Sequence, residues 1–281
     1  MCVKKGKRKR KNKSNSSFKC LVFTLIIFCL WIFSTFIITV NEVKISDEKI
    51  QDEVTIVHLS DLHGSVFGVN NSSIINVIKR ADPDFVVVTG DMYTRGSDEG
   101  RKTASRLMKN ISKNYTVYYV NGEHDNDDIF FDELRKNDVK VLDYKSEDIA
   151  VGKTRLTLYG ITNVYYSPTF DLNNEFTLNR DRYNILLAHT SNKEAFTDFG
   201  LDLCLCGDTH GGQVRLPFIG GLYGTSGWLP EVAEENAFIK GLYGYKNTDF
   251  YISSGLGNYP IPLRFLNRPE IAVIKLVSEN I

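Results

Sequence analysis

From residue 54 onward, short apolar runs punctuate the chain: VTIVHLS, DFVVVTG, YTVYYVNG, VKVLDY, TRLTLYGI, YNILLAHT and LDLCLCG. They are rich in β-branched and aromatic residues and bounded by Gly, Asn, Asp or Ser, the pattern of strands closed by turns. Between several of them lie helical stretches such as SSIINVIKRA and GRKTASRLMKN. Strands alternating with helices predict an α/β architecture. The later segments GQVRLP, DFYISSG and EIAVIKLV read as strands with turns but few helices, which predicts a mixed or second sheet. No internal repeat is present. One domain over 54–281 is the simplest organisation, with residues 41–53 as a short polar linker before it.

A different pattern occupies the beginning. Residues 20–40, CLVFTLIIFCLWIFSTFIITV, contain no charged side chain. As a helix this stretch is ~30 Å long, the thickness of a hydrocarbon core. A secretory signal usually has an apolar stretch of ~7–15 residues ending in small residues. Here the end reads FIITVNEV, which predicts an uncleaved transmembrane helix. Residues 1–19 form a basic tail: nine Lys or Arg precede the span, against Lys44 and Lys49 alone in the twenty residues after it. Basic flanks stay cytoplasmic. The expectation is a single-pass protein of the cell membrane, N-terminus cytoplasmic and the body extracytoplasmic. The tail could also meet anionic lipid or nucleic acid, but its role in topology suffices to explain it.

The charge count changes one thing. The formal net charge of zero hides a split, because the 34 basic residues include the nine in the tail. Beyond residue 40 the chain holds 25 basic and 34 acidic residues, a net charge of −9. Such a body is a poor match for phosphate backbones, so a nucleic-acid partner is not expected. The oligomeric state is not legible. Cys204 and Cys206 alternate on one strand, poorly placed for a mutual disulfide, and the body has no other cysteine.

The chemistry lies at the strand ends. VTIVHLS runs into Asp61 and His63, DFVVVTG into Asp91, and YTVYYVNG into Glu123, His124 and Asp125. YNILLA runs into His189, and LDLCLCG into Asp208 and His210. Four of the five histidines fall here, and only His58 lies within a strand, where it reads as a packing residue. A lone strand-end Asp is ordinarily a cap or turn residue. Five strands ending alike in Asp, Glu and His instead offer the oxygen and imidazole donors that hold Zn, Mn or Fe. They outnumber what one ion needs, which suggests two metals with a bridging carboxylate, as in water activation against phosphate esters.

In order, "LSDLHG", "GDMY", "NGEHD", "LLAHTSN" and "GDTHGGQVRLP" resemble the signature of calcineurin-like metallophosphoesterases, over about Val54 to Leu276. "GGQVRLPFIG" and "SGLGNYPIPLRFLNRPEI" further resemble the membrane-anchored, YkuE-like bacterial group. The resemblance implies a four-layer α/β/β/α sandwich of two mixed sheets. It also implies hydrolysis of a phosphodiester, phosphomonoester or pyrophosphate by a hydroxide bridging two divalent ions. One ion would be held by Asp61, His63, Asp91 and His210. The other would be held by Asp91, His189, Glu123 and Asp208, where the family has Asn and His at the last two positions. His124 would protonate the leaving oxygen, with Asp125 orienting it. Arg95 and Arg264 are candidate phosphate clamps. The two carboxylate departures favour Mn, with Fe, Zn or Mg as alternatives. They also leave room for a catalytically weak binding protein on the same fold.

Overall fold

The structure, a computed structural model, describes residues 14–162, 165–222 and 238–279. In chain order it begins with α1 (Ser14–Phe36), β1 (Thr39–Asp47), β2 (Val54–Leu59), α2 (Ser72–Ala81) and β3 (Phe85–Val88). Next come α3 (Asp98–Ser112), β4 (Val117–Tyr119), α4 (Asp128–Arg135), β5 (Lys140–Val141), β6 (Lys145–Val151) and β7 (Thr154–Gly160). They are followed by β8 (Tyr183–Leu187), α5 (Lys193–Phe199), β9 (Leu203–Cys206), β10 (Arg215–Leu216) and β11 (Gly220–Gly221). The last strands are β12 (Gly241–Tyr245), β13 (Thr248–Ile252) and β14 (Glu270–Ser278).

Two six-stranded mixed sheets result, in the orders β1-β14-β2-β3-β4-β5 and β12-β13-β9-β8-β7-β6. The period-two alternation of the strands assigns their faces. Val57, Leu59, Val86, Val88, Ile271 and Val273 point outward, against Ile74, Leu107 and Phe130 of the helices. Their neighbours Ile56, Val87 and Ile274 point inward, against Leu156, Ile185 and Leu203 of the second sheet. The second sheet's far face packs Cys204, Cys206 and Phe250 on Phe196 and Phe199 of α5. This is the expected four-layer α/β/β/α sandwich. Both faces of each central strand are covered, which is why these strands read as unbroken apolar runs.

Three boundaries differ from expectation, the first being the start of the apolar helix at Ser14 rather than Cys20. The apolar helix ends at Phe36 rather than Val40, because the next residues bend and Thr39 enters a strand. Most of the polar stretch expected as a linker is that strand. β1 pairs in parallel with β14 from Thr39 to Asp47, and Ile45 is buried between the sheets. Its mixed composition is that of an edge strand with one partner. Of the basic tail expected over 1–19, residues 1–13 lie outside the described residues.

Parallel strands β2, β3 and β4 of one sheet and β8 and β9 of the other end at the same rim. Ligands of open α/β sheets gather at such carboxyl ends.

Candidate metal centre

Two residues past β2, Asp61 turns back under the rim with its backbone left-handed, φ 52°, and His63 follows at 47°. Asp91, Asp208 and His210 share that conformation, at 53°, 73° and 50°. Each such position costs about 1–3 kcal/mol and persists only where the surroundings enforce it. Five of them around one point mark a site rather than a set of ordinary turns.

The turns draw the side chains into two adjoining clusters joined by Asp61 and Asp91. On one side, His63 Nε2 and His210 Nε2 face each other at 3.2 Å, and His210 Nε2 is 3.8 Å from Asp61 Oδ1. On the other, His189 Nε2 lies 3.4 Å from Asp91 Oδ2, 3.7 Å from Asp208 Oδ1 and 3.9 Å from Asp61 Oδ1. Asp91 Oδ2 is also 3.7 Å from His63 Nε2, so one oxygen stands between both sets.

Neighbours fix which atoms converge. His189 donates from Nδ1 to the Thr89 carbonyl at 2.6 Å, leaving Nε2 buried with no hydrogen-bond partner. His63 Nδ1 sits 3.1 Å from Thr94 Oγ1, which turns its Nε2 inward. Asp91 Oδ1 accepts from His124 N at 2.9 Å, and Asp61 accepts from Asp208 N at 3.2 Å. Ring orientation by a hydrogen bond at the far nitrogen is the usual support of a metal-binding histidine.

Glycine lets the loops close this tightly. A Cβ at Gly122 would come within 2.1 Å of Asp91 Oδ1, and one at Gly207 within 2.6 Å of Asp61 Oδ2.

The electrostatics match. Burial drives His63 down to about 3 and His210 well below the ordinary imidazole range, so both rings are neutral. Burial pushes Asp61 up to about 7, with the His189 charge opposing it. Burial also lifts Asp208. For His189, burial favours the neutral ring, but Asp91, Asp61 and Asp208 outweigh it and raise the imidazole well above its ordinary value. Asp91 is driven below the usual range, because His189 and His63 outweigh its burial. The proton that these crowded carboxylates hold on the neighbouring imidazole is what a cation would replace. A metal 2.0–2.1 Å from its ligands sets neighbouring donor atoms about 3.0–3.4 Å apart. The spacings above, 3.2–3.9 Å, fit with small adjustments.

Of the seven expected ligands, Asp61, His63, Asp91, His189 and His210 thus converge, and Asp208 reaches His189. Glu123 stands apart: Oε2 accepts from Tyr165 Oη at 2.8 Å, and Oε1 is 3.3 Å from His124 Nε2. His124 is at the rim, close enough to His63 and Asp91 to form a third cluster of donor atoms with them. It borders a cavity of about 450 Å³ that Arg95, Ser97 and Asp127 also line. Arg95 is exposed there and donates through Nη2 to the Glu123 carbonyl.

Two assignments are corrected. Asp125, expected to orient His124, instead accepts from Gly122 N through Oδ1 at 2.8 Å and from Met92 N through Oδ2 at 2.7 Å. It ties the loops after β3 and β4 together, and the amide of Arg95 approaches His124 Nδ1 instead, at 3.5 Å. Arg264 is wholly buried and cannot clamp a phosphate at the surface. Its Nη2 donates to the carbonyls of Ser254 and Gly257, both at 2.7 Å, knitting the loop beneath the site. His58, expected as a packing residue, is buried with Nε2 2.8 Å from Thr89 Oγ1.

One residue was missed. Tyr259 stacks on His63, ring centres 5.1 Å apart, and meets His124 edge-on at 4.3 Å. It lies about fifty residues past the last ligand in an irregular loop, where the sequence carries no period to mark it.

The sequence model of the calcineurin-like phosphoesterase family matches residues 54–212, the stretch that carries every one of these ligands. The chain belongs to the calcineurin-like phosphoesterase family. Among similar family members, the uncharacterized metallophosphoesterase YkuE of Bacillus subtilis is 30% identical over 80% of this chain and 79% of its own. The phosphodiesterase YaeI of Escherichia coli is 26% identical over 79% and 82%. Among solved structures, the NAD nucleotidase NadN of Haemophilus influenzae is 15% identical, covers 81% of this chain and 45% of its own, and has a TM-score of 0.44. As a member of the calcineurin-like phosphoesterase family, the chain is a metal-dependent phosphoester hydrolase.

Proposed function

We propose that the protein is a membrane-anchored phosphoesterase that works with two divalent ions. The observation that carries this is Asp91 Oδ2, set 3.7 Å from His63 and 3.4 Å from His189, so that one carboxylate oxygen reaches both donor sets. Asp61, His63, Asp91 and His210 would hold one ion, and Asp91, His189 and Asp208 the other, with Glu123 completing it by leaving Tyr165. Bound there, the ions would supply a water acidic enough to attack phosphorus and positive charge for the phosphoryl oxygens. Carboxylate-rich ligation at the second position favours Mn, while Fe, Zn and Mg also suit oxygen and imidazole donors.

The chain's own residues do the rest. His124, at the mouth of the 450 Å³ cavity, delivers a proton to the departing ester oxygen. Arg95 beside it meets a phosphoryl oxygen through its guanidinium. The anchor is α1, whose segment Ser17–Phe36 is long and apolar enough to cross a membrane. The basic residues before it support a body outside the cytoplasm. Protease added to intact protoplasts should cut the body; protection of the body while an external marker is cut rejects that topology.

Turnover of bis(p-nitrophenyl) phosphate with metal content measured per chain is the deciding experiment. Two ions and turnover support the reading. One ion and no turnover under saturating Mn reject it, and would favour a binding protein on the same fold. The position of Glu123, drawn to Tyr165 rather than Asp91, is the observation on that side.

A further inference from the structure

The apolar helix does not simply trail from the body: its last turns are bolted to the loop that walls the metal centre. Trp31 Nε1 donates to the Pro262 carbonyl at 3.2 Å, and Ser34 Oγ accepts from Leu266 N at 3.1 Å. Arg268 donates to the carbonyls of Ile37 and Ile38 at the helix end, with its guanidinium 4.6 Å over the Phe33 ring. These contacts set a depth. The apolar span runs to Phe36. Trp31 lies five residues before that end, which at 1.5 Å per residue is about 7–8 Å inside it. The loop bonded to Trp31 therefore sits at the boundary between headgroups and acyl chains, where apolar faces of membrane-surface segments bury about 5–10 Å.

Exposed apolar side chains on that loop and on the hairpin bonded to it suit such a position. Ile261 and Leu266 are 44% and 48% exposed, and the neighbouring β10–β11 hairpin carries Phe218 at its tip, fully exposed. The hairpin is held to the loop by Arg215 N donating to the Phe265 carbonyl at 2.9 Å. A groove of about 350 Å³ walled in part by Leu30, Phe33 and Leu266 opens beside the helix at the same level. In water this apolar rim would be unfavourable; against a bilayer it is a contact surface.

The same loop ends in the metal centre. Tyr259, three residues before Pro262, stacks on His63 and meets His124 edge-on. Three residues of chain span at most about 10 Å, so the centre lies within one headgroup's reach of the membrane surface. We propose that the rim formed by Phe218, Ile261 and Leu266 inserts into the bilayer, and that the substrate is a phosphate ester of a membrane lipid drawn from that bilayer. This rests on the phosphoesterase reading above. In the reaction a water oxygen bonds to phosphorus, its proton passing to solvent from which His124 is recharged, and the bond from phosphorus to the lipid ester oxygen or to the headgroup oxygen breaks. His124 supplies the proton to the departing oxygen, and no oxidant or reductant is needed.

The test uses the full chain in vesicles of total bacterial phospholipid, with hydrolysis followed by phosphorus NMR and soluble bis(p-nitrophenyl) phosphate assayed in parallel. The wild type should cleave a vesicle lipid. Phe218→Ser/Ile261→Ser should lose at least tenfold of that activity and keep its turnover of the soluble ester. Equal lipid hydrolysis by the variant overturns the proposal, as does a wild type that cleaves the soluble ester and no lipid. A wild type that cleaves neither overturns the phosphoesterase reading and the proposal with it. A separate arm needs no activity: Phe218→Trp in vesicles of acyl-brominated lipid should be quenched beyond the wild-type level. Equal quenching overturns the docking geometry on its own.

Discussion

At Asp91 and His124 two neighbouring side chains do separable work. Asp91 joins both donor sets, so Asp91→Ala should lower the bound metal from two ions per chain and abolish turnover, read by metal analysis of the dialysed protein. His124 touches the centre only through its amide and its ring edge. His124→Ala should retain both ions and lose about 10²–10⁴-fold in rate, the range for a general acid. That loss should shrink for esters with good leaving groups, and full activity on a poor one would reject the role. The acids and histidines of the centre were legible because each follows a strand directly, and five strand ends repeating one chemistry is an improbable accident. Asp125 and Arg264 were misjudged because a residue type does not reveal its partners. Asp125 is claimed by two amides, and Arg264 by carbonyls seven to ten residues before it.

Among the elements, central strands and covering helices announce themselves, and edge strands do not. β2, β3, β8 and β9 are buried on both faces and read as apolar runs. β6 and β12 alternate half-buried with exposed positions and resemble loops. β1 is the costly case, since TVNEVKISD looks like a tether yet shields Ile45 and half-covers Val43. Burying one such side chain fully and another by half is worth roughly 2–4.5 kcal/mol. A chain beginning at residue 38 should therefore fold, whereas one beginning at residue 49 should lose that much stability and expose the edge of β14. Urea midpoints of the two would settle it, and equal midpoints would show β1 to be dispensable. The loops after β3 and β4 make a second test. Gly122→Ala places a methyl group where Asp91 Oδ1 stands. The expected cost is about 1–3 kcal/mol of stability, with a larger proportional loss of metal affinity, measured by titration.

For the molecule as a whole, the stacking of two sheets brings carboxylates from distant parts of the chain together. The strand order was not legible: β14, the last strand, inserts between β1 and β2 because its Ile271 and Ile274 supply apolar faces to both cores. The four-layer arrangement was visible only through resemblance, since a buried strand reads the same in any layer. That stacking fixes Asp61 and Asp91 from one sheet against His189 and Asp208 from the other, with Asp61 and His189 wholly buried. Without a cation, three carboxylates meet one imidazole across the seam between the sheets. Metal should then act as a clamp on the whole fold as well as a reagent. A ligand at a thousand times its dissociation constant stabilises the native state by about 4 kcal/mol. For a domain of this size each kcal/mol moves the thermal midpoint by about 2–4 °C. Chelation of the detergent-solubilised protein should lower its midpoint by roughly 8–16 °C, and saturating Mn should restore it. The shift should be nearly lost in Asp91→Ala, which removes the shared ligand, and largely kept in His124→Ala, which does not. A midpoint that ignores chelation in a protein shown to contain metal would mean that the seam is held by packing alone.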